Sequence, residues 1–127
     1  MRIEHYSESG VEVYYTGTLE ENKQEAMQQI KMEFEGSFVN GSFISSLGFR
    51  VDNRRSGIKN DLENIRGMID VGILFFKDYD GNTHQLTLSE MNTIKIEMIN
   101  DGMMKYQNKW SKEEKINLCT TIESIWL

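Results

Sequence analysis

Proline is absent from the 127 residues, and cysteine occurs once. Without proline nothing pins a φ angle or forces a helix to stop, so element ends must come from glycines and capping side chains. The lone Cys119 excludes an internal disulfide and is read as a small core residue. His5 and His84 are the only histidines, and neither has a Cys or second His at zinc-ligand spacing. No run of about 18 apolar residues exists, which excludes a membrane-spanning helix. The first residues, MRIEHYSESG, hold no apolar stretch of signal-peptide type. Together these absences predict a cytoplasmic protein.

Catalytic signatures are missing too. There is no glycine-rich loop of the P-loop type, and Ser45-Ser46 lack the G-x-S-x-G elbow. No catalytic residue, cofactor or metal is assigned, and the chain is expected not to be an enzyme.

What is present is a core. Hydrophobic residues make up 39%, with six Phe, five Tyr, two Trp and eight Met, too much for a disordered chain and enough for one domain. The net charge of −6 is uneven: residues 1–36 hold eight acids against three bases, residues 37–127 twelve against eleven. The acidic first third disfavours direct nucleic-acid binding and suits a basic partner.

The pattern predicts an α+β fold, residues 1–127 as a single domain, with an N-terminal β-hairpin plus helix over 1–36, a small antiparallel sheet and a helical C-terminal third. Two β-like runs, Arg2–Tyr6 and Val11–Thr16, flank a turn at Ser7–Gly10. Thr18 and Glu21 have capping-box spacing before a stripe of Leu19, Ala26, Ile30 and Phe34, with Gly36 as the expected stop. Residues 37–46 read as a loop or tight hairpin around Asn40-Gly41, with Phe38 and Phe43 beneath it. LGFRV reads as a strand. A helix is expected over residues 56–70, with Ile58, Leu62, Ile65 and Ile69 inward. Asp80-Gly81 suits a hairpin turn. Thr87–Glu90 and Thr120–Glu123 repeat the box spacing before two further helices, the first placing Met91, Ile94, Met98, Gly102, Tyr106 and Trp110 on one face. Gly102, at a cost of about 1 kcal/mol, marks a bend or a close crossing.

Three features are candidate sites. Arg50, Arg54, Arg55 and Lys59, with Arg66, sit before and within the second helix, where amide groups and the dipole could favour an anion. The structural alternative is a solvated turn: Asp52-Asn53 reverse the chain, Arg54-Arg55 stay in water, and Phe49 and Ile58 enter the core. Asp78–Asn82, DYDGN, begins like a calcium loop, but Thr83 and Ser89 stand where glycine and glutamate are needed, so a hairpin turn is the better reading. Met103 and Met104, near Tyr106 and Trp110, form either packed core, which their periodicity favours, or a soft partner-binding patch.

Three stretches, SSLGFRVDNRRSGIKNDLENI, FFKDYDGNTHQLTLSEM and MMKYQNKWSKEEKINLCTTIESI, follow one another in the order of a known pattern. Gly48-Phe49 with Asp52, Phe76–Gly81, Leu86-Thr87, Tyr106, Lys109 and Trp110, and Thr120-Thr121 carry it. Over residues 40–127 the chain resembles an uncharacterised phage domain family found at or beside tail-fibre proteins and in small phage proteins encoded near tail genes. The resemblance implies a phage or prophage protein, tail-associated and without known enzymatic activity, and it carries over no catalytic residues. The chain departs from a fibre in having no shaft repeats and no trimeric coiled-coil heptads. The expectation is a small separate protein in the cytoplasm of an infected bacterial host, or in the virion.

Two functions follow as expectations. In the first the protein is a tail-fibre accessory or assembly factor that works by protein–protein contact, with which homo-oligomerisation is compatible. In the second it inhibits a host defence nuclease in the manner of an anti-CRISPR. There Glu20, Glu21, Glu25, Glu33 and Glu35 would mimic phosphates, or the Arg50–Arg66 segment would make the contact.

Overall fold

In a proline-free chain the helix starts are set by side-chain caps. The computed structural model describes residues 1–56 and 59–127. Strands β1 (Arg2–Ser7) and β2 (Gly10–Tyr15) pair antiparallel from Arg2–Tyr15 to Ser7–Gly10. Helix α1 (Leu19–Val39) follows, with Thr18 Oγ1 accepting the Glu21 amide at 3.1 Å. It runs past Gly36, the expected stop. A glycine with open space around it weakens a helix by about 1 kcal/mol but does not end it. The chain turns at Asn40-Gly41 instead, where Gly41 lies so close to Asn53 that an added Cβ would stand 2.4 Å from its carbonyl oxygen.

Strands β3 (Ser42–Ile44) and β4 (Arg50–Asp52) form a second hairpin. Its reversal is at Ser45–Phe49, with Gly48 at φ +94°, so Asn40-Gly41 is not the hairpin tip. Helix α2 (Asp61–Asp70) begins later than expected. Arg54 and Asp61 are joined ahead of it: Asp61 N donates to Arg54 O at 3.0 Å, and Asn60 Oδ1 then caps the helix by accepting the Glu63 amide at 3.1 Å. Leu62 and Ile65 are buried and Ile69 half-buried; Ile58, expected in the core, lies outside the described residues.

Strands β5 (Phe75–Lys77) and β6 (Thr83–Gln85) pair around the Asp80-Gly81 turn. Helix α3 (Leu88–Asn117) opens with a complete capping box: Glu90 N to Thr87 Oγ1 at 3.1 Å and Thr87 N to Glu90 Oε1 at 2.9 Å. The short α4 (Ile122–Ile125) is capped by Thr121, one residue beyond the expected Thr120. Helices hold 52% of the described residues and strands 21%. Each antiparallel pair is a separate two-stranded sheet, so the fold is α+β.

The chain folds into two compact units, the first from Met1–Glu33 with Asn108–Leu127 and the second from Phe34–Gln107. In the first, Ala26, Ile30, Ile116 and Ile125 form a small core. Beside it Asn22 is wholly buried. Its Nδ2 donates to Thr16 O at 2.9 Å and Thr18 O at 2.8 Å, and its Oδ1 accepts from Trp126 Nε1 at 2.8 Å and from the Met1 nitrogen. One side chain thus ties the end of the first hairpin and the start of α1 to α4.

The second unit packs Val51, Leu62, Ile65, Phe76, Met91, Ile94 and Met98. The α3 face is buried at Met91, Ile94, Met98 and Gly102, but Tyr106 is 37% exposed; Trp110, in the first unit, is 53% exposed. Gly102 marks a close crossing, because an added Cβ would lie 2.7 Å from the Arg55 guanidinium. The missing side chain lets Arg55 Nη2 reach the Met98 carbonyl at 2.9 Å, which also accepts Asn53 Nδ2 at 3.0 Å.

Two outcomes check this packing. Asn22→Ala removes the side-chain bonds to the Thr16 and Thr18 carbonyls, to the Trp126 indole N–H and to the Met1 nitrogen and is expected to destabilise by about 2–4 kcal/mol in urea unfolding; an unchanged midpoint would mean the bonds do not form in solution. Gly102→Ala should stabilise by about 1 kcal/mol in an Arg55→Ala background, through helix propensity. In the wild type it should destabilise, because the guanidinium must leave. Equal effects in both backgrounds would contradict the crossing.

Candidate functional site

The basic residues before α2 are the leading site candidates in the sequence, and the fold gives each of them a partner of its own chain. Arg50 donates to Ser42 Oγ at 3.0 Å and lies 4.6 Å from the Tyr79 ring centre. Arg54 grips Asp52 with both Nε (2.7 Å) and Nη2 (2.6 Å). Lys59 Nζ approaches Asp52 at 2.9 Å and Asp61 at 3.5 Å. Arg55 is half-buried against α3 and lies 5.3 Å from the Phe38 ring centre. Arg54 and Arg55 therefore do not stand free in water. The turn has no partner-free arginine because its own carboxylates and carbonyls are in reach first.

The anion reading also fails at the helix itself. The first turn of α2 carries Asp61 and Glu63, Asn60 already occupies the Glu63 amide, and Asp61 Oδ2 accepts the Arg54 amide at 2.7 Å. Negative charge at this end favours the helix and repels a phosphate. The fork of Arg54 with the Lys59 ammonium holds the Asp52 carboxyl at about 2, well below its usual range.

Asp52, Lys59, Asp61, Tyr79 and Asp80 line a cleft of about 530 Å³ that is floored by Ile65 and Phe76. Asp78, the first residue of DYDGN, turns inward from its wall. Its Oδ1 accepts the Asp80 and Asn82 amides, each at 2.9 Å, and its Oδ2 lies 2.7 Å from His84 Nε2. The His84 bond first, then those two amides, hold this carboxyl below the ordinary range against the opposing effect of burial. His84 in turn stacks on Phe49 at 3.9 Å between centres, and Phe49 is half-buried rather than fully enclosed. The DYDGN segment is thus a hairpin turn braced by a carboxylate. Among the described residues no group of three metal-binding side chains comes together.

The acidic candidates are scattered as well. Glu20, Glu21, Glu25 and Glu33 spread over roughly 220° of the α1 circumference at 100° per residue. Glu25 lies 3.5 Å from the Met1 nitrogen, and Glu33 pairs with Lys112 at 3.3 Å. Glu35 is exposed and belongs to the second unit. Met103 and Met104, by contrast, are not packed core: they are 45% and 68% exposed on α3, and Ile96 one heptad before Met103 is 54% exposed. Helical periodicity alone does not tell which apolar face of a long helix is covered.

Sequence reasoning missed three groups. Asn60 could have been found, since Asn60 and Glu63 have the spacing of the capping boxes read elsewhere. Glu97 accepts bonds from Ser45 Oγ, Ser46 N and Ser46 Oγ at 2.8–3.0 Å, pinning the β3–β4 turn, and nothing local announces it. Asn22 and Asn53, both wholly buried, carry no signal at all. Comparison of the chain with protein-family models, with curated proteins and with solved structures finds no match in any of the three.

The Asp52 cluster yields a pH test. Its carboxyl titrates lower in the folded than in the unfolded chain, so its contribution is complete above about pH 4 and is lost as pH falls toward about 2. The full shift converts to about 2.5 kcal/mol, but Arg54 and Lys59 are 41% and 42% exposed, which reduces it to about 1–2 kcal/mol. Asp52→Asn should show that loss at pH 7 and converge with the wild type near pH 2. A gap that persists there would assign the loss to packing instead.

Proposed function

We propose that the chain works by binding another protein and not by catalysis, as a tail-associated phage or prophage protein of the fibre-accessory or assembly type. The observation that carries the contact reading is the pair Met103 and Met104, 45% and 68% exposed on a helix whose opposite face is sealed by Met91, Ile94 and Met98. Thioether side chains are flexible and polarizable, which suits a surface that must fit a partner. The groups that could have bound a small anion instead hold one another. The phage assignment is supported by the order of the GFRVD, FFKDYDG and YQNKW elements.

The second reading, an inhibitor of a host defence nuclease, draws on Glu20, Glu21, Glu25, Glu33 and Glu35, all exposed but Glu25. Affinity capture with the full chain from phage-infected bacteria separates the two. The expected result is a fibre or other tail component, retained by the wild type and lost by Met103→Ser with Met104→Ser. Capture of a nuclease that is released at moderate ionic strength would select the inhibitor reading. Retention unchanged in the double variant would remove the methionines from the interface.

A further inference from the structure

The hairpin of β1 and β2 is exposed along nearly its whole length; only Ile3 and Tyr15 are half-buried. A lone two-stranded hairpin is marginal in water, and each of its edges carries unpaired backbone groups. The two edges differ. Met1 and Thr16 exchange two backbone bonds, at 2.7 and 2.9 Å. Alternation along an antiparallel ladder then makes Ile3–Tyr14 and His5–Glu12 the bonded pairs. Arg2, Glu4 and Tyr6 therefore direct N–H and C=O groups outward from β1, and Val11, Val13 and Tyr15 do so from β2. The β1 edge is guarded by charge. The β2 edge is neutral at all three positions, has no bulge in its register and no proline, and is rich in strand-forming residues.

We propose that the outer edge of β2 pairs with the same edge of a second copy, antiparallel and two-fold symmetric about Val13. In this register Val13 faces Val13 of the second copy, Val11 faces its Tyr15, and Glu12 faces its Tyr14. Aromatic and β-branched residues opposite one another are favourable cross-strand pairs, and no carboxylate directly opposes a carboxylate. Centring the axis on Glu12, or using the β1 edge centred on Glu4, would set two glutamates face to face. The Val13 register also overlaps the whole run Val11–Tyr15. The product is a four-stranded sheet in the order β1-β2-β2-β1, an isologous interface in which each copy supplies the same patch. Tyr6 (70% exposed) and Val11 (53% exposed) then lie in one row with Tyr15 of the second copy. This pairing does not depend on the tail-associated reading.

Because residue 13 meets its own copy on the axis, charge substitutions there test the register directly. Sedimentation equilibrium of the wild type should show a concentration-dependent dimer. Val13→Lys and Val13→Glu alone should each weaken it by roughly tenfold or more, since like charges directly opposite are destabilising. An equimolar mixture of the two variants should recover association, as a Lys–Glu pair. A mixture that stays monomeric while both variants keep wild-type circular dichroism would overturn the register. A measurement needing no variant accompanies it: hydrogen exchange at the Val13 amide should slow as wild-type concentration rises. A wild type that stays monomeric, with concentration-independent exchange at Val13, overturns the proposal and leaves the edge to a different protein.

Discussion

The second unit is organised by one stretch of backbone, the turn of α3 between Met98 and Gly102. Its glycine removes the side chain that would otherwise cover the helix, and the Met98 carbonyl accepts both Asn53 and Arg55. Those two contacts fix where β4 ends and where residues 53–55 lie. Asp101 joins from the same turn, bonded to Asn53 at 2.8 Å and paired with Lys105 at 3.1 Å. Phe38, at the end of α1, receives Arg55 and Lys105 at 5.3 and 5.0 Å from its ring centre. Burying this much polarity is costly: among the described residues Asn53 Oδ1 and Arg55 Nε find no hydrogen-bond partner. Such a cluster adds little stability over apolar packing.

That constraint accounts for the fate of the basic segment. Four cations in ten residues, Arg50 to Lys59, look like a surface patch when read in line. Folded, Arg50 is drawn to Ser42 and Tyr79, Arg54 and Lys59 to Asp52, and Arg55 to α3. Each finds an acceptor within the unit, so the segment shapes a loop and offers no common surface. The apolar groups that stay open to solvent include Met103 and Met104 on α3 and Val11 and Val13 on the first hairpin. This distribution of open and closed groups is the basis for reading the molecule as one that acts through contact.

The elements with local causes were legible in the sequence. Thr87 and Glu90 cap α3 as their spacing requires, Asp80-Gly81 makes its turn, and Leu62 and Ile65 face inward. Errors fell where the deciding partner is distant. Gly36 did not stop α1, because the reversal is set by the fit of Gly41 against Asn53. Helix α2 did not start at residue 56, because Arg54 and Asp61 close a loop first. Arg55 reads as water-facing in the sequence because its partner, Met98, lies 43 residues away. The buried asparagines belong to the same class, since a polar residue whose partners lie in distant segments leaves no periodic trace. Met103 and Met104 show the converse limit, as apolar residues at helical spacing that no second layer covers.

The central claim is that Arg54 and Arg55 are held by intramolecular bonds and not displayed. Side-chain nitrogen NMR of the guanidinium groups at neutral pH tests it most directly, with Arg66, held among the described residues only by a single exposed pair to Glu63 on α2, as the internal reference. Hindered rotation, with resolved Nη signals and slow Nε–H exchange for Arg54 and Arg55 but averaged signals for Arg66, is the predicted result. Averaged, fast-exchanging signals from Arg54 and Arg55 alike would contradict it and return the basic segment to the list of binding surfaces.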